Sequence, residues 1–235
     1  VNSPERVRRG RPPKDGARRP LTKETIGAAA VAVAGAEGFR ALTMRRLASE
    51  LGVTVRALYN VIADRQEAID LAAAHLIASL PEHHYDPERW RQSIRDWYLA
   101  GRAGYRPLAR ALLISMEETV TAAAVPVERI LSPERMLRFL TDIGLSAQQA
   151  SAVRGHMLLD LFAFSLLIDH QWDTTPEELR PLMFEPVPKP WLEANPDVSA
   201  PISRELADAG TPTTPDDVLD AVADRTIAYI ESLLR

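Results

Sequence analysis

The sequence predicts an all-α fold on three observations. Apolar residues recur at the i, i+3, i+4, i+7 spacing of one helix face, and helix starts are marked by a capping residue, often followed by proline. No alternating strand pattern, internal repeat or glycine-rich phosphate loop interrupts them. With 235 residues, 46% of them hydrophobic and 26% charged, the chain is long enough for one large domain or a small one joined to a larger one.

Residues 1–20 hold seven basic residues, four prolines and almost no large apolar side chain, so they read as a basic disordered arm. From Leu21 to Leu80 proline is absent and helical spacing takes over. Ile26, Ala29, Ala30 and Val33 mark a first helix, capped by Thr22 and stopped at Gly38. Met44, Leu47, Ala48 and Leu51 mark a second, opened by Thr43 and closed by Gly52, and a short third helix runs from about Thr54 to Asn60. Asp64 and Glu67 form a capping-box-like pair ahead of a fourth helix carrying Ile69, Ala73, Leu76 and Leu80.

Beyond Pro81 the proline-marked starts begin. Asp86-Pro87 opens a helix with Trp90, Ile94, Trp97 and Tyr98, Pro107 another with Leu112 and Met116, and Ser132-Pro133 a third with Met136, Phe139 and Leu140. Ser146 and Gln149 cap a helix reaching about Trp172, and Thr214-Pro215 starts the last one, with Leu219, Val222, Tyr229 and Ile230. Nine prolines between 173 and 215 predict an extended connection with one short helix around 202–209.

The net charge of −4 hides an asymmetry: residues 1–65 hold 13 basic against 6 acidic residues, the remainder 15 against 26. A basic end beside an acidic remainder suggests that the N-terminal part meets a polyanion. The absence of cysteine excludes a disulfide scaffold, a Cys-ligated metal site and a thiol nucleophile. The five histidines show no metal-binding spacing and no nucleophile elbow occurs, so neither a metal, a cofactor nor catalysis is expected. No uninterrupted apolar run approaches the roughly 18 residues of a membrane span, and no secretory signal reads near Val1, so a cytoplasmic protein without a membrane partner is expected.

Two short helices joined by a turn at Gly52 have the layout of a helix-turn-helix DNA reader. Leu47, Ala48, Leu51, Val53 and Leu58 supply its inner faces; Thr54, Val55, Arg56, Ala57, Tyr59 and Asn60 supply the outer surface of the second helix. The stretch Gly38-Phe39-Arg40-Ala41-Leu42-Thr43-Met44-Arg45-Arg46-Leu47-Ala48-Ser49-Glu50-Leu51-Gly52-Val53, followed by Ala57-Leu58-Tyr59 and Arg65, closely resembles the DNA-binding domain of TetR-family transcriptional repressors. The resemblance covers about Thr22 to Leu71. It implies three helices that bind the major groove, then a fourth that leads into a helical effector-binding domain, which also forms the homodimer.

The resemblance further places Thr43 at a phosphate, Tyr59 at a phosphate or base edge, and Arg65 on the backbone where the family usually has lysine. Thr54, Val55, Arg56 and Ala57 fall at its sequence-reading positions. Asn60 departs from the usual aromatic or histidine and leaves the base preference open. Arg56 suits the O6 and N7 of guanine, with a phosphate contact as the alternative. Arg45 is either a DNA contact or a solvated charge, Thr43 and Thr54 also read as helix caps, and the Tyr59 ring is expected to pack on the first helix as well. In the arm, Arg8, Arg9 and Arg11 belong to an Arg-Gly-Arg-Pro segment that resembles an AT-hook; they either enter an A·T-rich minor groove or attract phosphate nonspecifically.

The helix from Ser146 to Trp172 is apolar on two faces and the last helix carries a wide apolar stripe, which fits burial against both the chain's own core and a partner. By resemblance, these helices, near 146–172 and 215–234, pair with their symmetry mates in a homodimer; a well-buried core helix in a monomer is the alternative. Effector contacts are expected from Trp90, Trp97, Tyr98, Met116, Met136, Phe139, Met157 and Phe162, with His156 and Asp160 as a polar pair one turn apart; for each, plain core packing is the competing reading. The organisation read from the sequence is thus an arm (1–20), a helix-turn-helix domain (21–65) and a helical effector-binding and dimerisation domain (66–235). The expected partners are a palindromic double-stranded DNA operator, a small apolar or amphipathic effector and a second copy. A ligand-independent protein of A·T-rich DNA is the alternative.

Overall fold

The computed structural model describes residues 20–79, 82–107, 111, 127–209 and 213–235, all helices and connections without a strand among the described residues. Four helices build the N-terminal unit: α1 (Lys23–Glu37), α2 (Met44–Glu50), α3 (Val55–Tyr59) and α4 (Arg65–Ser79). Their ends follow from short-range chemistry. Thr22 and Thr25 close a reciprocal capping box at the start of α1, and Thr43 and Thr54 accept the Arg46 and Ala57 amides to start α2 and α3. Asp64 accepts the Glu67 amide, but the Glu67 carboxylate reaches one residue further back than a capping box requires, to the amide of Ala63 at 2.7 Å. It also pairs with Lys23 on α1 at 2.6 Å, which ties the two ends of the unit together and holds the Glu67 carboxyl below its usual range.

Helices α1 and α4 cross closely because Gly27 has no side chain: a Cβ there would lie 2.6 Å from the carbonyl oxygen of Leu71. Ile26, Ala30, Val33, Leu47, Leu58 and Ile69 fill the interior between the four helices. Helix α4 supplies Ala68, Ile69, Ala72, Ala73 and Leu76 to this core, which Tyr105 and Leu161 then cap from the rest of the chain.

The remainder is built on α5 (Trp90–Tyr105), α6 (Glu128–Asp142), α7 (Ala147–Ala163), α8 (His170–Thr174), α9 (Lys189–Ala194), α10 (Pro201–Ala209) and α11 (Pro215–Leu233). Helices α5, α6, α7 and α11 enclose a second core with Ile94, Tyr98, Leu140, Val153, Met157 and Ile230. The boxes of Ser146 with Gln149 and of Thr214 with Asp217, the latter followed by Pro215, start α7 and α11 where the sequence places them.

Three elements differ from expectation. Asp86 accepts the amides of Glu88 and Arg89 and so caps a turn, with α5 starting only at Trp90. Helix α6 begins at Glu128, so Pro133 does not open it but lies inside, where its missing N–H forfeits one helix bond without ending the helix. The proline-rich connection carries a 3₁₀ turn (Glu177–Leu182) and α9 as well as the expected short helix, because the prolines at 188, 190 and 201 sit at or beside helix starts. The expected helix with Leu112 and Met116 lies outside the described residues, as does the arm.

Helices α7 and α8 are joined without a break by a π-helical segment, Phe164–Asp169. An i→i+5 turn rotates the following side chains relative to a regular helix. Within it Ser165 and Asp169 are fully buried, whereas Leu167 stands out in solvent. The stretch Ala147–Thr174 has a window of mean hydropathy 1.4, enough by length and composition to cross a membrane, a test that core helices also pass. Its buried face packs on α5, α6 and α11, and Asp160 and Asp169 on it are held in ion pairs.

Candidate functional site

Gly52 gives the turn between α2 and α3 its shape. Its φ of 64° lies in the left-handed region, and open space surrounds the position of a Cβ, so backbone conformation and not crowding requires glycine there. Leu47, Ala48 and Leu58 are buried beneath the turn and lock the angle between the helices. On the outer side of α3, Thr54, Arg56, Tyr59 and Asn60 are exposed, with 52% of Tyr59 accessible. The Tyr59 ring is thus about half in solvent on the outer side of α3. Val55 turns inward against that core and Ala57 is half-buried, since a five-residue helix lying on the core presents only one side to solvent.

The flanks of this surface are basic. Arg45 is exposed on α2, while Arg46 is committed to Glu37 and Glu50 at 2.6 and 2.8 Å. Thr43, exposed, is occupied as the α2 cap at 3.1 Å from the Arg46 amide. Arg65 donates through Nε to the Leu42 carbonyl at 2.6 Å and lies over the Phe39 ring, 5.0 Å from its centroid. That double anchorage fixes the side chain beside the loop leading into α2 and steers its remaining donors. Arg40 in the same loop is also exposed, a cation that the motif reading passed over although it lies within the quoted stretch. Arg8, Arg9 and Arg11 lie outside the described residues.

The expected effector residues do not form one cluster. Tyr98, Met136, Phe139 and Met157 are buried together in the second core, with Trp90 and Trp97 half-buried at its edge. Trp97 also packs against the N-terminal core, and Phe162 belongs to that core's margin beside Tyr105, 5.4 Å between ring centroids. Phe139 stacks on Tyr85 at 4.8 Å and borders a cavity of about 480 Å³ with His84, Arg135 and Arg138. Burial pushes the Tyr85 hydroxyl up to about 12, so it stays protonated. Met116 is outside the described residues.

His156 and Asp160 are not a pair. His156 is exposed and lies against the Tyr229 ring, whereas Asp160 bonds to Arg225 at 2.6 Å and accepts from the Tyr98 hydroxyl at 3.1 Å. One turn of separation put the two on one helix, but α11 crosses α7 between them and supplies a different partner to each. The Tyr98 hydroxyl, shifted upward by burial, also bonds Thr226 at 2.9 Å.

A second polar group within the helical unit escaped the sequence reading. Asp169, fully buried, receives the Arg102 guanidinium through both Nε and Nη2, at 2.7–3.0 Å, and Arg102 extends Nη1 to Asp216 at 2.6 Å. The Phe164 ring lies 5.2 Å from the same guanidinium, and Arg106 beside it pairs with Asp173. The signal was present as one aspartate closing the apolar run Phe162–Ile168. Near it, the buried Ser165 hydroxyl has no hydrogen-bond partner among the described residues.

A helix-turn-helix head with an outward second helix, joined to a purely helical unit with its own core, defines a class of two-part helix-turn-helix proteins. Residues 26–60 match the profile of bacterial regulatory proteins of the tetR family. The chain is 42% identical over 62 residues to the HTH-type transcriptional repressor DrrR1 of Streptomyces coeruleorubidus, a match covering 26% of this chain and 23% of that protein. Its fold is similar to that of the Streptomyces coelicolor TetR family protein ActR in complex with actinorhodin, with TM-score 0.71 and 23% identity over 92% of this chain and 99% of that one. It is also similar to TetR from Acinetobacter baumannii AYE, with TM-score 0.58 and 21% identity over 92% and 100% of the two chains. The chain is thus similar to TetR-family regulators in sequence over its helix-turn-helix, and to solved TetR-family proteins in fold over most of its length.

Proposed function

We propose that this protein is a homodimeric transcriptional repressor that binds a palindromic DNA operator and leaves it when a small apolar or amphipathic molecule enters the second core. The observation that carries the reading is the outer surface of α3: Thr54, Arg56, Tyr59 and Asn60 are exposed on a helix whose inner side is locked by Leu58 and the Gly52 turn. Arg56 reads a base edge and Tyr59 a base edge or phosphate, while Thr43, Arg45 and Arg65 hold the backbone on either side. The arm, residues 1–20, adds phosphate attraction and with it salt dependence. A second copy, paired through α7 and α11, sets a second α3 at the other half-site.

Coupling between the two units rests on their shared packing. Trp97 touches both cores, and Tyr105 and Leu161 cap the N-terminal one directly over α4. A ligand that binds the second core more tightly in one arrangement of α5 and α7 shifts the population of the helix-turn-helix spacing, by no more than its differential affinity for the two arrangements. The solved relative ActR was obtained in complex with actinorhodin, which makes actinorhodin the first molecule to test.

Genomic fragments selected by the purified protein, followed by mobility shifts on the recovered site, test the reading. One palindrome bound tightly is expected, with Arg56→Ala or Tyr59→Ala weakening it at least tenfold, about 1.4 kcal/mol, while the dimer persists. Equal affinity for all A·T-rich fragments, or no change in the variants, would overturn it.

A further inference from the structure

The connection into α5, residues 82–89, lies against α6, and the two border a cavity of about 480 Å³. Tyr85 forms one wall of it. The Tyr85 ring stacks on Phe139 at 4.8 Å and meets the edge of the His83 ring at 4.6 Å. Arg135 and Arg138, one turn apart on α6, line the same space, and Arg138 is exposed. Glu82, largely in solvent, stands 3.7 Å from Arg135, and Asp142 is the other acidic residue of the lining.

A cation next to this wall is left unanswered. Arg154 on α7 is half-buried, yet among the described residues it makes neither a hydrogen bond nor an ion pair. Burial lowers its pKa, and the group that counters the shift is no carboxylate but the Tyr85 hydroxyl, which lies within electrostatic reach of both Arg154 and Arg135. In the same half Arg102, Arg106 and Arg225 each meet an aspartate. A guanidinium drawn out of water without a counter-charge costs stability. Such an arrangement is expected where a bound anion supplies the charge that the chain leaves out.

We propose that this cavity binds an aromatic carboxylate, with its ring against Tyr85 and its carboxylate held by Arg135 and Arg154. The planar guanidinium fork matches a carboxylate with two parallel bonds. Burial keeps the Tyr85 hydroxyl protonated and so able to donate to the same anion. It also lowers the pKa of His83, whose ring therefore adds aromatic surface and not charge at neutral pH. The volume lies within the roughly 300–1,000 Å³ of small-molecule sites, room for a few fused rings. Glu82 and Asp142 oppose a doubly charged group, which favours a carboxylate over a phosphate. A ligand seated there touches the connection from α4 as well as α6, so its occupancy biases how the helix-turn-helix sits on the second core. That consequence for DNA rests on the repressor reading, whereas the binding itself does not.

Calorimetric titration of the full chain at neutral pH with anthraquinone-2-carboxylate, and with its neutral carboxamide, tests the site. One carboxylate per chain is expected, bound at least tenfold more tightly than the carboxamide, and Arg154→Met is expected to abolish that preference. Because Arg154 lacks a counter-charge in the free protein, the same variant is expected to keep or raise Tm; a lowered Tm makes Arg154 a structural residue and overturns the proposal. No saturable binding, equal affinity for the two compounds, or a preference that survives in the variant overturns it too. Mobility shifts with the carboxylate present separate the two readings. Binding that leaves operator affinity unchanged upholds the site and counts against ligand-driven release, while absent binding sinks the site alone and leaves the repressor reading to its own test.

Discussion

The two halves of the molecule are held together by different means. In α1 to α4 the buried positions are aliphatic, alanine or glycine, and the polar side chains that matter sit at helix ends or on the surface. Among the described residues every buried polar side chain, Ser93, Arg102, Ser165, Asp169 and Thr226, belongs to the second half. An apolar interior holds the N-terminal helices in place through shape alone. The second half instead tolerates the desolvation of ions, which is stabilising only while every partner is in place, and fixes the relative setting of α5, α7 and α11 by those bonds. The N-terminal unit is thus set by shape, and the second half by polar links that a substitution has the means to disturb.

The sharpest way to break that comparison is Asp169→Ala. It removes the buried partner of the Arg102 guanidinium, leaving it Asp216 alone, and is expected to lower unfolding free energy by about 3 kcal/mol in urea titrations, with a Leu pair at positions 102 and 169 recovering much of the loss. A cost below about 1 kcal/mol would make the two interiors equivalent. In the head the corresponding lesion is steric: Gly27→Ala is expected to cost about 1–3 kcal/mol, because its Cβ meets the Leu71 carbonyl and pushes α1 off α4. Thr54→Ala removes the α3 cap for about 1 kcal/mol and is expected to soften operator binding along with local helix stability, read by hydrogen exchange of the Ala57 amide.

The smallest effect concerns acid. Arg106 holds the Asp173 carboxyl below its usual range, as Lys23 holds that of Glu67. Each carboxyl is more acidic folded than unfolded, so its contribution is complete above the ordinary carboxylate range and fades as pH falls through the depressed folded value. Both pairs are partly solvated and worth at most about 1 kcal/mol each. Glu67→Gln and Asp173→Asn are expected to flatten slightly the loss of thermal stability between neutral pH and acid, in proportions that compare the head with the second half.

Much of this was legible in the order of residues. Threonine or serine three positions ahead of an amide it caps, glycine at a turn, and apolar spacing of three and four located the starts of α1, α2, α3, α7 and α11 and the head's interior. The same signals misled where a local cue was overruled: Pro133 looked like a start and is internal, and His156 and Asp160 share a face without sharing a bond. Nothing local announced the π turn that carries Asp169 inward, or the exposure of Ile202 and Leu206 on α10.

What the chain determined by itself was everything that acts over one helical turn: the caps, the left-handed glycine at 52, and an amphipathic head with cationic residues on its outer side. What only the tertiary structure decided was which distant charge answers which, Arg102 with Asp169, Arg225 with Asp160, and which apolar surfaces find no cover. Capping bonds join residues three or four apart, so composition and spacing reveal them. A pair separated by 65 or 67 residues exists only once two helices have crossed at a particular angle and register, and that angle comes from the packing of the whole interior.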